Sequence, residues 1–290
     1  MRGLEVIRRA LPAEAAALEA FLSQHAETSM FLRGNIAVAG LGESTHPYAT
    51  TVHLWPETGP IRAAFGRTTL GYVMCQAPDA PAEVFRAYAE AIADLPVASV
   101  TGPPSSCAAL IAALGFAEGL FRLDHIEPLY RLDLAAMAES PDHIRPPRPG
   151  DSELLADWFF DYGVDTGIGG TDAAARTEAR ARAERSVDRP ALRLLIEDGT
   201  PVAMTDFNAE VADIVQIGGV FVPRALRNTA RGRRVVHAQL CEARTRGIRT
   251  AVLFANNPAA ARAYEAIGFE HIGGYRVAVL EHPQAAGVRA

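Results

Sequence analysis

The residues best suited to chemistry lie in Val220-Phe221-Val222-Pro223-Arg224-Ala225-Leu226-Arg227-Asn228-Thr229-Ala230-Arg231-Gly232-Arg233. An apolar extended run meets proline, passes through a short loop and opens onto a helical pattern whose first backbone N–H groups have no intrahelical acceptor. Such a start attracts anions. The helix dipole adds partial positive charge, Ala230 and Gly232 are small enough to admit a diphosphate close to the backbone, and Arg227, Arg231, Arg233 and Arg234 add formal charge. Taken alone, the segment is equally a basic helix start on the surface. A second constellation is Asn257-Pro258-Ala259-Ala260-Ala261-Arg262-Ala263-Tyr264-Glu265-Ala266-Ile267-Gly268-Phe269. Asn257 can cap a helix and Pro258 is preorganised for its first position. The Tyr264 hydroxyl can give up a proton, although a lone tyrosine on a short helix is otherwise a packed aromatic with a wet hydroxyl.

Together these segments resemble the GNAT N-acetyltransferase superfamily. Arg227, Ala230 and Gly232 fill the first, fourth and sixth places of its pyrophosphate motif, Gln/Arg-x-x-Gly-x-Gly/Ala, with alanine where glycine is usual at the fourth. Asn257, the tyrosine seven residues on and Gly268-Phe269 match the second half of the pattern. The resemblance covers nearly all of Ile144 to Leu280 and implies an α/β fold, a mixed sheet with helices on its faces. It implies acetyl-CoA as cosubstrate, held by Arg227, Asn228, Thr229, Ala230, Arg231, Gly232 and Arg233 at its phosphates. Val220, Phe221 and Val222 would pair with the pantetheine arm through their backbone, and Asn257 would lie near the coenzyme. Tyr264 becomes the general acid that protonates the departing thiolate. The implied reaction is direct attack of an amine on the thioester, with no covalent enzyme intermediate and no metal.

The base does not follow from the pattern. Many family members carry a glutamate on the strand before the phosphate loop, but Ile214-Val215-Gln216-Ile217-Gly218-Gly219 offers no carboxylate. Gln216 can orient water but cannot hold a proton. Asp206, Glu210 and Asp213 are expected as solvated turn or strand-edge residues, which leaves an ordered water chain. Cys241 falls on a buried turn of the helix after the loop and is not expected to relay acyl groups.

These residues need a framework. Asp151 or Ser152 opens a helix with Leu154, Leu155, Trp158 and Phe159 on one face, and a second runs from Asp172 to about Val187, capped by Thr171 and stopped by Asp188-Arg189-Pro190. A β-meander follows at Leu192–Glu197, Val202–Phe207 and Ile214–Val222. A helix from Gly232 to Arg246, a strand at Thr250–Phe254, a helix from Pro258 to Ile267 and a strand from Glu270 to Leu280 complete the order α-α-β-β-β-α-β-α-β. The glycine-rich run within Asp161 to Thr171 is either a mobile acceptor loop or a flexible connector.

Thr69–Cys75, Ala82–Ala93, Val97–Thr101, Ser106–Leu114 and Leu120–Leu132 repeat the last five elements of the second half, and Leu114-Gly115-Phe116 answers Ile267-Gly268-Phe269. This is the signature of an internal duplication. Two tandem GNAT-like domains are therefore expected: a degenerate one at 1–139, a linker at 140–150 where four prolines break the pattern, and a catalytic one at 151–290. In the first, Ile111 and Pro104 stand where Tyr264 and Asn257 stand in the second, and no phosphate loop follows its central strand. A structural or substrate-side role suits it.

The chain of 290 residues has 49% hydrophobic and 21% charged residues and a formal net charge of -6, which gives a polyanion no attraction. Neither nucleic acid nor a membrane is expected as partner, and a cytoplasmic location is expected from the absence of a signal-peptide core. Cys75, Cys107 and Cys241 are read as reduced structural thiols, and His46, His53 and His125 are too scattered for a metal site. The amine acceptor is unspecified, and a homodimer is one of the states the sequence allows. A rival from another class is a non-catalytic acyl-CoA sensor or assembly module; transfer of a different acyl group is a third reading.

Overall fold

A computed structural model describes residues 7–42, 44–187, 191–255 and 257–287. In chain order the elements are β1 (Arg8–Arg9), α1 (Ala15–Ser23), α2 (Ala26–Ala39), β2 (Thr50–Trp55), β3 (Ala63–Thr68), β4 (Tyr72–Gln76), α3 (Ala82–Ala91), β5 (Val97–Gly102), α4 (Pro104–Leu114) and β6 (Phe121–Asp133). They continue with β7 (Ile144–Arg145), α5 (Ser152–Thr166), α6 (Ala173–Ser186), β8 (Arg193–Glu197), β9 (Thr200–Val211), β10 (Ile214–Phe221), α7 (Arg231–Thr245), β11 (Thr250–Phe254), α8 (Pro258–Glu265) and β12 (Glu270–Gln284). The expected α/β architecture and its order are present. Asp172 rather than Thr171 caps α6, its carboxylate accepting from Ala175 N at 2.8 Å. The stop expected at Asp188-Arg189-Pro190 lies outside the described residues.

Two compact units divide the chain, residues 1–127 with 274–290 and residues 128–273. These limits differ from a cut at 140–150, for two reasons. The proline-rich stretch is itself built into the second unit: β7 pairs antiparallel with β8, and Arg145 grips Asp151 at 2.6 Å. The last strand of each half also runs on. Residues Leu129–Asp133 of β6 pair antiparallel with β11 in the second unit, while Arg276–Val279 of β12 pair antiparallel with β5 in the first. Each unit thus completes its sheet with a strand segment from the other half of the sequence, and both repeat one plan. In the first, β4 and β5 are parallel, as β10 and β11 are in the second.

The second unit has an apolar layer on each sheet face. Val215 and Ile217 of β10, Phe207 of β9 and Ala251 and Leu253 of β11 pack with Val235, Val236 and Leu240 of α7 and with Tyr264 of α8. Met204 and Phe221 face the opposite way, against Leu155, Trp158 and Phe159 of α5 and Ala179 and Ala183 of α6. This alternation is the period-two output of strands buried on both faces. Among the described residues, no helix is long and apolar enough to cross a membrane.

Candidate functional site

Pro223 ends β10, one tight turn spans Arg224–Leu226, and α7 begins at Arg231. Between them Asn228 and Ala230 both take left-handed backbone, with φ of 62° and 63°. Asparagine tolerates this conformation; for alanine it costs roughly 1–2 kcal/mol. Ala230 thus adopts the conformation that suits the glycine of the pyrophosphate motif. A left-handed residue abutting a helix start turns successive N–H groups into a concave anion cradle. The first amide of the helical ladder is Arg234 N, bonded to Ala230 O at 3.0 Å, so those of Arg231, Gly232 and Arg233 lack acceptors within the helix. A methyl built on Gly232 would meet only Val222 Cγ2, at 3.6 Å, an ordinary contact. Nothing within the chain needs glycine there.

The loop arginines are held by carboxylates. Arg227 bonds Val222 O at 2.9 Å and Asp165, which also takes Arg224 at 2.7 Å. Arg231 bonds Glu197 at 2.5 Å and Thr229 Oγ1 at 2.9 Å, and Arg234 bridges Asp142 and Glu197. Hydrogen bonds from Arg231 and Arg234 hold the Glu197 carboxyl below its ordinary range. Burial raises Asp165, but its bonds to Arg224 and Arg227 outweigh that and leave it lowered. Of the four arginines assigned to the anion site, only Arg233 is exposed and without an ion pair among the described residues. Asp165 belongs to the glycine-rich run, whose first half is the end of α5. Gly169 N bonds Gly163 O at 3.0 Å, and Asp165 ties the run to the loop between β10 and α7.

Among the described residues β10 and β11 pair only over Ile214–Gln216 against Thr250–Val252. Beyond Gln216 this pairing ends while β10 runs on to Phe221, a wedge-like break in the ladder between the two strands. On its other side β10 pairs with β9 through register shifts at Gln216/Ile217 and at Gly218/Phe221. Asn257 is exposed and caps α8, accepting from Ala260 N at 2.9 Å. Tyr264 is 8% exposed, in edge contact with Phe269 at 6.0 Å. Burial, and then the neighbouring Tyr162 phenol, push its ionisation above the ordinary tyrosine range. Tyr162 on α5 is therefore close to Tyr264; no motif in the sequence marks it.

Two findings concern the missing base. Glu210 and Asp213 are exposed, paired with Arg246 and Arg249. Asp206 is not a solvated residue: it is 2% exposed on β9, because α5 and α6 cover that face. Gln216 is fully buried, and neither end of its carboxamide has a partner among the described residues. Cys241 is buried, its thiol donating to Ala138 O at 3.3 Å, and burial raises its ionisation.

In the first unit, β4 and β5 pair in parallel over Tyr72–Met74 against Ser99–Thr101. Gln76 at the end of β4 is buried, and its carboxamide oxygen accepts from Thr28 Oγ1 at 2.8 Å and Ser29 Oγ at 3.3 Å, which ties that end to α2. Ile111 is a core residue and Pro104 begins α4.

Residues 154–269 match the family model described as acetyltransferase (GNAT) family. Solved structures sharing the fold include a Drosophila protein (13% identity, 95% of this chain and 98% of that one covered, TM-score 0.62). A GCN5-related N-acetyltransferase from Sphaerobacter thermophilus gives 16%, 96%, 95% and 0.56. A tandem GNAT protein from the clavulanic acid biosynthesis pathway gives 13%, 98%, 99% and 0.57. No functionally curated protein matches the sequence.

Proposed function

We propose that this chain, a member of the GNAT superfamily with two tandem GNAT-like domains, transfers acetyl from acetyl-CoA to an amine, and that the second unit performs the transfer. The observation that carries this reading is the β10–β11 wedge. A left-handed loop and a helix start follow the end of β10, and the Tyr264 phenol is buried in the same core as Val215 and Ile217 of that strand.

The diphosphate is received by the amides of Arg231, Gly232 and Arg233 and by arginines released from Glu197 and Asp165. Val220 to Val222 pair with the pantetheine arm along the unpaired edge of β10. A β10 amide polarises the thioester carbonyl. The amine nitrogen attacks the carbonyl carbon, the carbon–sulfur bond breaks, and the Tyr264 hydroxyl protonates the leaving thiolate. A phenol kept neutral by burial holds its proton until the thiolate forms. The first unit, with Gln76 at the end of β4 tied to Thr28 and Ser29 of α2, is a supporting domain that takes no coenzyme.

Tyr264→Phe tests the assignment. Release of CoA thiol from acetyl-CoA should fall by about 10²–10⁴-fold, the usual weight of a general acid. Calorimetric affinity for acetyl-CoA should stay unchanged. Wild-type turnover in the variant removes Tyr264 from the mechanism.

A further inference from the structure

The second unit buries two polar side chains on the sheet face opposite α7. Thr205 donates to Gln239 of α7 at 2.9 Å, and Phe207 lies in the α7-side core, so strand alternation sends Asp206 between them to the other face, with Met204. Val215 and Ile217 likewise lie in the α7-side core, which sends Gln216 to the same face as Asp206. Asp206 is registered opposite Gly218 and Gln216 opposite Ala209, with the register shift at Gln216/Ile217 between them, so the two lie on one face on either side of that bulge.

The Asn208 carboxamide of β9 lies over Gly218, its nearest atom 2.2 Å from where a Cβ there would stand. Gly218 and Gly219 carry no side chains, and Gly219 has φ 60° where β10 bulges. A Cβ built on Gly219 would lie 3.2 Å from Asp206 Cβ and 3.9 Å from Arg182 Nη2. Arg182, on α6, is stacked on Phe159 at 4.2 Å and lies 5.8 Å from the Tyr162 ring. A fixed guanidinium beside a buried carboxylate offsets the cost of burying its charge. Each unpartnered end of the Gln216 carboxamide costs roughly 1–3 kcal/mol, a penalty that folded chains accept where a ligand or water completes the bond.

We propose that Asp206, on the strand beside the one where the resemblance expects a carboxylate, accepts the proton lost by the acceptor amine, and that Gln216 is a positioning residue whose carboxamide holds that amine. This rests on the acetyl-transfer reading above. The acceptor enters as its ammonium ion and passes one proton to the Asp206 carboxylate, which frees the nitrogen lone pair to attack the thioester carbon. The carbon–sulfur bond breaks, the thiolate takes the Tyr264 proton, and the new amide nitrogen loses its second proton to solvent. Exchange with solvent returns Asp206 to carboxylate and Tyr264 to phenol, so the net change is ammonium plus thioester to amide plus thiol plus one proton.

The test uses acetyl-CoA with two probe nucleophiles: ethanolamine, protonated near neutral pH, and hydroxylamine, neutral there. Asp206→Asn should lower ethanolamine turnover by about 10²–10⁴-fold, with unchanged acetyl-CoA affinity and far less effect on hydroxylamine. Formate should restore part of the ethanolamine rate to Asp206→Ala, which a merely structural aspartate does not allow. Gln216→Met should raise the melting temperature, by removing two unpartnered polar atoms, and raise KM for ethanolamine more than it lowers kcat. Wild-type ethanolamine turnover in Asp206→Asn overturns the proposal alone. So does an equal loss for both nucleophiles with formate inert. A wild-type protein that neither binds nor cleaves acetyl-CoA overturns the acetyl-transfer reading itself.

Discussion

Gly232→Ala separates what the fold needs from what a bound diphosphate needs. Gly232 is in the first turn of α7, its φ is not left-handed, and the added methyl would touch only Val222 Cγ2 at 3.6 Å. The protein should accept it. Alanine is better than glycine in a helix interior by about 1 kcal/mol, and less at an end, so a gain of about 0.5 kcal/mol, or about 1–2 °C in melting temperature, is expected. The same methyl projects from the residue whose amide, with those of Arg231 and Arg233, would bind phosphate oxygen. Crowding a diphosphate off this backbone should weaken acetyl-CoA by about 10–100-fold, or about 1.4–2.8 kcal/mol. Thermal melting of the ligand-free protein and calorimetric titration read the two effects separately. An unchanged affinity in a well-folded variant would refute the loop as the diphosphate site; a destabilised variant would refute the argument that only a ligand requires glycine there.

Glu197→Gln removes the carboxylate that holds Arg231 and Arg234. Acetyl-CoA should bind about two- to fivefold tighter at low salt, the equivalent of a partly exposed ion pair of about 0.5–1 kcal/mol, with less gain at high salt. Tyr264 is raised by burial first and by Tyr162 second, so the folded chain binds its proton more tightly than the unfolded chain does. Its contribution to stability is complete below the ordinary tyrosine value of about 10 and is lost as pH rises beyond it. Tyrosinate absorbance of folded wild type and Tyr264→Phe should therefore superimpose until alkaline unfolding begins; a folded-state difference near pH 10 would contradict the burial argument.

What the sequence revealed is what local chemistry dictates. The strand Thr250–Phe254 was legible to the residue, because an apolar run bounded by turns admits one reading, and α7 and α8 were placed to within one or two residues by their caps and apolar faces. The loop between β10 and α7 was legible because its residues are contiguous between a proline and a helix start. The strand exchange at β6 and β12 was not, because each strand reads alike whichever sheet it joins. The burial of Asp206 was hidden for a related reason. Thr205 and Asp206 are consecutive polar residues of the kind a strand edge carries, yet β9 is interior and α5 and α6 cover the face to which Asp206 points. The clamps from Asp165, Asp142 and Glu197 onto the loop arginines span 34 to 92 residues, a separation at which no spacing rule applies.

The central claim is that one coenzyme site exists per chain and that the second unit holds it. Calorimetric titration of acetyl-CoA into the wild type and into an Arg227→Ala/Arg231→Ala double variant tests it directly. The account predicts one equivalent per chain, with affinity lost in the variant. Two equivalents, or one equivalent that the variant leaves unchanged, would place a site in the first unit, and no binding to the wild type would contradict the account entirely.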